Sequence, residues 1–405
     1  MNFPFYIAKR YFFARKKTSF ISLISIISML GVGVGTMALV VVLSVFNGLE
    51  EFQRSLYKSF DADLKISPKV GKNFSCPPAL LQKLSKIDGV KNINQVIEEN
   101  VLVRYRDAQM VVNLKGVDDN FLKQERLKKS LIDGKLKLKE DGISQAIVGS
   151  GVAITLGIDV DAFFTPLEVW FPRNTKSKVI DFTSSEAFNK MSLLPSGIFT
   201  IEQQYDDNYI FAPLTFAQNL FEYNDERTSL EVQVIDAEQI NKVQDALRQS
   251  LGKSFSVLNQ DEQHASLLRA IKIEKLFVFL TLTFIISIAS FNIFFSLSML
   301  AIEKKEDVKT LFAIGANRGI IQRIFILEGA IVAFSGAIIG LVSGYILCIL
   351  QDNYGLISMG IEGALIDDYP VKMQFSDFFF TALVVIIITM VASYFPAKKA
   401  ALSRS

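Results

Sequence analysis

Hydrophobic and polar positions alternate on two scales along this chain, and the coarser scale is the more informative. No charged residue occurs across residues 18–49, 276–302, 329–351 or 378–397. Each run reaches the roughly 20 apolar residues needed to cross about 30 Å of hydrocarbon. The pattern therefore predicts four transmembrane helices, at 18–46, 273–302, 324–350 and 375–396. They leave an amphipathic helix at 1–17, a polar domain at 47–272, a short turn at 303–323, a connector at 351–374 and a tail at 397–405.

The turn is charged on one side only. Val308, Leu311 and Phe312 fall at i, i+3 and i+4, so a short helix there has an apolar face opposite Glu303, Lys304, Glu306 and Lys309. Gly315 can end that helix, and Asn317 can cap the next one. Within the spans, Gly31 and Gly35, and then Gly336, Gly340 and Gly344, repeat at four-residue spacing, which permits close helix packing.

The polar domain reads on the finer scale. Strands are expected near 62–67, 93–105, 109–117, 165–171 and 197–203, with a helix from Pro77 to Ile87. A second strand, helix, strand series follows between Ser229 and Gln260. The expectation is an α+β domain of two related lobes, 47–140 and 225–272, flanking a β-rich insert at 141–224.

Charge sets the orientation. Lys9, Arg10, Arg15, Lys16 and Lys17 precede the first span, five basic residues lie in the 303–323 turn, and Lys398, Lys399 and Arg404 follow the last span. The 351–374 connector has four acidic residues against Lys372. By the positive-inside rule both termini and the turn are cytoplasmic and the large domain is outside. The net charge of +2 is thus a matter of topology and carries no sign of nucleic-acid binding. The first apolar run is too long for a cleaved signal and reads as an uncleaved anchor. Cys76 and Cys348 lie in different compartments and imply no disulfide.

Chemistry is sparse. The chain has no G-x-x-x-x-G-K-[ST] phosphate loop, and its single histidine, His264, allows no zinc cluster or Ser-His pair. His264 reads as a surface side chain, and the S-x-x-K spacing at Ser55–Lys58 lacks its catalytic partners. No catalytic residue, metal site or cofactor is expected on this chain.

Three stretches, YIAKRYFFARKKTSFISLISIISMLGVGVGTMALVVVLSVFNGLEEFQ, HASLLRAIKIEKLFVFLTLTFIISIASFNIFFSLSMLAIEKKEDVKTLFAIGANRGIIQRIFILEG and SYFPAKKAALS, resemble the permease subunits of lipoprotein-releasing ABC transporters, the LolC/LolE type. That type lies within the wider MacB- and FtsX-like group. The resemblance implies a membrane α-helical fold with four transmembrane helices and a large α+β extracytoplasmic domain, the MacB-like (type VII) permease. It implies a multi-pass protein of the bacterial inner membrane, with a periplasmic domain. Its expected partners are a cytoplasmic LolD-like ABC ATPase that holds ATP and Mg, a second permease chain (LolC/LolE-like or another copy), lipoprotein cargo, membrane lipid and a LolA-like periplasmic chaperone. Coupling to the ATPase would fall to Glu303, Lys304, Glu306, Lys309, Leu311, Phe312 and Arg318. A chaperone-docking loop would carry Pro172, Arg173, Met191, Leu193, Leu194 and Pro195. Triacylated cargo needs an apolar refuge, and two stripes offer one: Val45, Phe46, Leu49, Phe52 and Leu56, and Leu267, Ile271, Leu276 and Phe279. The alternative is an FtsX-like mechanotransmission protein that regulates a periplasmic partner and moves no cargo. A MacB-like exporter is disfavoured, because MacB carries its ATPase on the same chain.

Overall fold

The computed structural model describes residues 3–13, 20–118, 120–123, 130–162, 165–173, 187–360 and 368–402. They form two compact units, one of residues 1–52 and 266–405 and one of residues 53–265.

The first unit is helical. Its long elements are Phe20–Phe60, Ala265–Glu303, Arg318–Tyr354 and Phe375–Leu402, each long and apolar enough to cross a membrane. The first two run well beyond their charge-free stretches at the polar-domain end, where amphipathic sequence continues the helix. The fourth also passes through Pro396 to Leu402, so that proline does not end it.

Small residues hold the first and third spans together. A Cβ on Gly336 would stand 2.6 Å from the Met29 carbonyl oxygen, and one on Gly344 would stand 3.3 Å from the Val40 side chain. Gly340 backs onto the Gly33 carbonyl and Thr36. Gly35 meets Ile286 of the second span equally closely, whereas Gly31 is in ordinary contact with Ala289. Around this seam Val32, Leu39, Leu43, Ile293, Val332 and Val385 form a buried core. Backbones can approach this closely only where no side chain intervenes, and in lipid such packing is a main source of helix association.

The second unit is built on one large sheet and a separate two-stranded pair. Its strands are β1 (Leu64–Pro68), β2 (Phe74–Ser75), β3 (Val90–Tyr105), β4 (Ala108–Val117), β5 (Leu131–Gly134), β6 (Lys139–Glu140), β7 (Ile143–Gly149), β8 (Leu167–Pro172), β9 (Phe188–Phe199), β10 (Tyr209–Pro213), β11 (Glu226–Arg227), β12 (Ser229–Val234) and β13 (Phe255–Asn259). The main order is β13-β1-β12-β3-β4-β10-β7-β9-β5.

At one end, β13, β1, β12 and β3 run antiparallel in the order fourth, first, third, second of a βαββαβ unit. Its helices, Pro78–Ser85 and Ile240–Leu251, supply Leu84, Val243 and Leu247 to a core with Leu64, Ile66, Leu230 and Val232. The stretches 47–140 and 225–272, expected as two lobes, thus interleave in one sheet. Strands β10, β7 and β9, from the expected insert, extend the same sheet past β4.

Two local expectations are corrected. Residues 188–196, expected within a polar loop, belong to β9, where Leu193, Pro195, Gly197 and Phe199 alternate inward. Residues 200–203, expected to end a strand, instead lead into the short helix Gln203–Asp206.

Candidate coupling and lipid-facing surfaces

The charged turn folds as a helix, Lys305–Ala313, set between the second and third spans. Gly315 follows it with φ +100°, a left-handed conformation suited to glycine, and Asn317 Oδ1 accepts a 2.9 Å hydrogen bond from the Ile320 amide to start the third span. Val308 is buried, and Leu311 and Phe312 pack with it against Ala8, Ile7 and Tyr11 of the helix Phe3–Phe13 and against Ala397, Ala400 and Ala401. Leu311 and Phe312, expected to face the ATPase, therefore face this chain's own core. Amphipathic spacing identifies an apolar face but not what covers it.

What the turn presents outward is Glu303, Glu306, Lys309 and Arg318, with Lys304 half-buried. Beside them stands Ile314, 79% exposed, which the sequence reading missed because it lies outside the i, i+3, i+4 set. Ion pairs Lys309–Glu306 at 2.9 Å and Lys304–Asp307 at 3.4 Å order this face. The Lys304 ammonium also lies 5.4 Å from the centre of the Tyr11 ring. Burial, then the charges of Asp307 and Glu328, push the Tyr11 hydroxyl up to about 12, so it stays a neutral donor to Asp307.

Of the four spans the second is the least covered: 17% of its most apolar stretch is buried, against 50% in the third. Phe277, Leu280, Phe284, Ile288, Phe291 and Phe295 are all exposed and recur at three- and four-residue intervals, forming one continuous stripe. That periodicity was present in the sequence but is hidden there, because this span is apolar on every side. Of the expected cargo-binding residues, Leu267 and Leu276 are exposed and Val45, Phe46, Leu49, Phe52 and Phe279 are half-buried. Leu56 and Ile271 are buried, at 7% each.

Where the first, second and fourth spans end beside the connector, a polar cluster ties them. Asn47 Nδ2 donates to Asp377 Oδ2 at 2.6 Å and to the Lys372 carbonyl at 3.2 Å, and Lys275 Nζ donates to Asn47 Oδ1 at 2.6 Å. The Lys372 amide donates to the Ser44 carbonyl at 2.9 Å, and its ammonium pairs with Glu51 at 2.5 Å. Gly48 sits against the backbone of Pro370 and Val371, which leaves no room for a side chain.

In the polar domain, His264 is half-buried and held by partners at the face and the edge of its ring. Its ring stacks on Tyr57 with centroids 3.6 Å apart and planes 7° apart, and its Nε2 contacts Asp61 Oδ2. Gln263 Nε2 donates to the Ala62 carbonyl at 3.3 Å, and Arg54 pairs with Asp261. Sequence placed His264 on a helix, but its partners lie about 200 residues away, beyond any local pattern.

For the expected docking loop, residues 174–186 lie outside the described residues. Pro172 and Arg173 are exposed, and Arg173 Nε donates to Asn189 Oδ1 at 2.9 Å. Leu193 and Pro195 are buried in β9, and Met191, half-buried, packs on the same core. Leu194 is half-buried.

Four spans, a charged helix turned outward between two of them and a large extracytoplasmic α+β domain define a non-catalytic membrane permease. The MacB-like periplasmic core domain family matches residues 25–250, and the FtsX-like permease C-terminal family matches residues 279–402. The chain belongs to the MacB/FtsX-like permeases, ABC-type membrane subunits that work with an ATPase.

Among full-length relatives, the lipoprotein-releasing system transmembrane protein LolE of Haemophilus influenzae is 26% identical, covering 99% of this chain and 97% of its own length. LolC of Neisseria meningitidis is 23% identical, with 98% and 96% covered. Solved structures include the periplasmic region of MacB from Actinobacillus actinomycetemcomitans, at TM-score 0.36 and 13% identity over 52% of this chain and 94% of that one. The extracellular domain of the transporter YknZ from Gram-positive bacteria gives TM-score 0.35 and 14% identity over 49% and 99%.

Proposed function

We propose that this chain is the permease subunit of an ABC transporter that extracts lipoproteins from the outer leaflet of the bacterial inner membrane and passes them to a periplasmic carrier. ATP and Mg are held by a separate cytoplasmic ATPase, and a second permease chain, of the LolC/LolE type or another copy, completes the membrane part. The observation that carries this reading is the end-to-end match to lipoprotein-releasing permeases, covering 98–99% of this chain.

The surfaces support it. Acyl chains are stabilised by about 0.8 kcal/mol per buried methylene, so cargo must leave the bilayer for another apolar surface. Leu276, Phe277 and the exposed stripe of the second span offer that surface. The charged face of the turn helix suits a polar ATPase groove, with Ile314 as its apolar contact.

The test is reconstitution. Proteoliposomes holding this chain, its ATPase and a triacylated protein should release the lipoprotein to an added carrier when ATP is supplied. A photo-crosslinker at Leu276 should capture the lipoprotein before ATP and lose it afterwards. Normal ATPase activity with no release and no capture would instead favour the regulatory reading, in which the outer domain acts on a periplasmic partner.

A further inference from the structure

The sheet of the outer domain has a break in one of its ladders. Strand β12 accompanies β3 as far as the pair Val96–Ser229, and β8 joins β3 from the pair Leu102–Trp170 onward. Between these points Ile97, Glu98, Glu99, Asn100 and Val101 pair with β4 on one side, and no strand among the described residues pairs with them on the other.

The direction of the backbone groups is fixed by the neighbours. The Thr228 amide donates to the Val96 carbonyl at 3.1 Å, and the Glu98 amide donates to Thr228 Oγ1 at 2.9 Å. Alternation along an antiparallel strand then turns the Glu98 carbonyl and both backbone groups of Asn100 toward the break. A threonine hydroxyl thus stands in for a missing strand at one position, and the next position has no such substitute.

A cleft of about 420 Å³ opens there, lined among others by Lys65, Ser67, Glu98, Asn100, Asn113 and Ser229. Two buried polar atoms on its wall, Ser229 Oγ and Asn113 Oδ1, have no hydrogen-bond partner, and Ser229 is only 2% exposed. Buried polar groups are ordinarily satisfied, and leaving one unmade costs about 1–3 kcal/mol, so these atoms await a partner.

The charges on the wall are already matched: Lys65 lies 3.7 Å from Glu98, and Lys72 lies 3.5 Å from Glu99. A phosphate or a metal ion would compete with these pairs. What remains unspent is uncharged, namely backbone N–H and C=O, an amide and a hydroxyl, spaced along an extended strand. That set complements another extended main chain.

We propose that this cleft docks an extended peptide segment rich in small polar side chains, which adds to the free edge of β3 between β12 and β8. Main-chain hydrogen bonds to Glu98 and Asn100 hold it, and Ser229 and Asn113 bond its polar side chains. This docking is independent of the cargo, because the broken ladder and the cleft both lie within the outer domain.

The test uses the full chain in detergent and a fluorescein-labelled peptide of alternating serine and asparagine, read by fluorescence anisotropy. The wild type should bind it saturably, and the same peptide N-methylated at every second residue should not bind. Asn100→Pro removes the edge N–H but no donor to β4, and should weaken binding about tenfold. Ser67→Trp fills the cleft from β1 and leaves the sequence of β3 intact, and should abolish binding, with the far-ultraviolet circular dichroism of both variants unchanged. Equal binding of the N-methylated peptide, or no saturable binding at millimolar peptide, overturns the proposal. So does displacement of the peptide by maltotriose but not by unlabelled peptide, which would assign the cleft to saccharide.

Discussion

Lys115 of β4 and Glu231 of β12 reach across β3 to pair at 2.6 Å, with 3% of either side chain exposed. Ions so placed have lost their hydration and depend on each other, and removing one strands the other. Lys115→Met should destabilise the outer domain by about 3–5 kcal/mol. The double variant Lys115→Met, Glu231→Leu should recover part of that loss, since a matched apolar pair has no charge to desolvate, while Glu98 still lacks the nearby Lys115 charge. Urea unfolding of the purified protein, followed by tryptophan fluorescence from Trp170, makes the comparison. A double variant as unstable as the single one would show that the pair is not the source.

Glu98 links stability to pH. Burial alone would raise its carboxyl pKa, but Lys65 and Lys115, with hydrogen bonds from Tyr209 at 2.9 Å and Asn113 at 3.0 Å, outweigh burial and hold it below the usual range. A depressed carboxyl stabilises the fold above its unfolded pKa of about 4.3 and loses that contribution as pH falls through its folded value. Wild type should therefore exceed Glu98→Gln in melting temperature at pH 7, with the difference shrinking below about pH 4.3. A difference constant from pH 7 to pH 3 would remove the carboxylate as its cause.

The glycine seam should tolerate no added atom. Gly336→Ala sets a methyl group 2.6 Å from the Met29 carbonyl oxygen, a distance that forces the first and third spans apart. Overpacking of this kind costs about 1–3 kcal/mol, whereas Gly31→Ala, in ordinary contact, should be nearly neutral. Thermal unfolding in detergent distinguishes the two positions, and equal effects would contradict the seam.

The turn helix separates coupling from stability. Glu306→Lys, Lys309→Glu and Ile314→Asp change only the outward face, and should reduce ATPase co-purification with little change in melting temperature. Phe312→Ala should instead lower the stability of the permease itself, by about 2 kcal/mol. If Phe312→Ala loses the ATPase while keeping full stability, the inward assignment of that ring is wrong.

Much of this was readable along the chain. Charge-free runs located the four long helices, and Asn317 was correctly identified as a cap because that signal is local. Strands β3 and β4 showed in their alternation. Strand β9 did not, because Pro195 and Gly197 occupy inward positions that composition assigns to loops. Leu311 and Phe312 were found as an apolar face, but their packing within this chain was not, since the helix Phe3–Phe13 beside them is some 300 residues away. The stacking of His264 on Tyr57 and the interleaving of β1 with β12 and β13 are equally remote pairings.

Those remote pairings also govern how the domain comes into being. Strand β1 finds its partners in Leu230 and in Val257, so the sheet stays incomplete until nearly 200 residues have been exported after Ile66. Such high contact order slows folding and leaves strand edges bare while the chain is being threaded through the translocon. Strand β13 ends at Asn259 and the second span begins at Ala265. The last edge of the βαββαβ unit is therefore delivered just before the stop-transfer segment, which ties completion of the fold to the end of secretion.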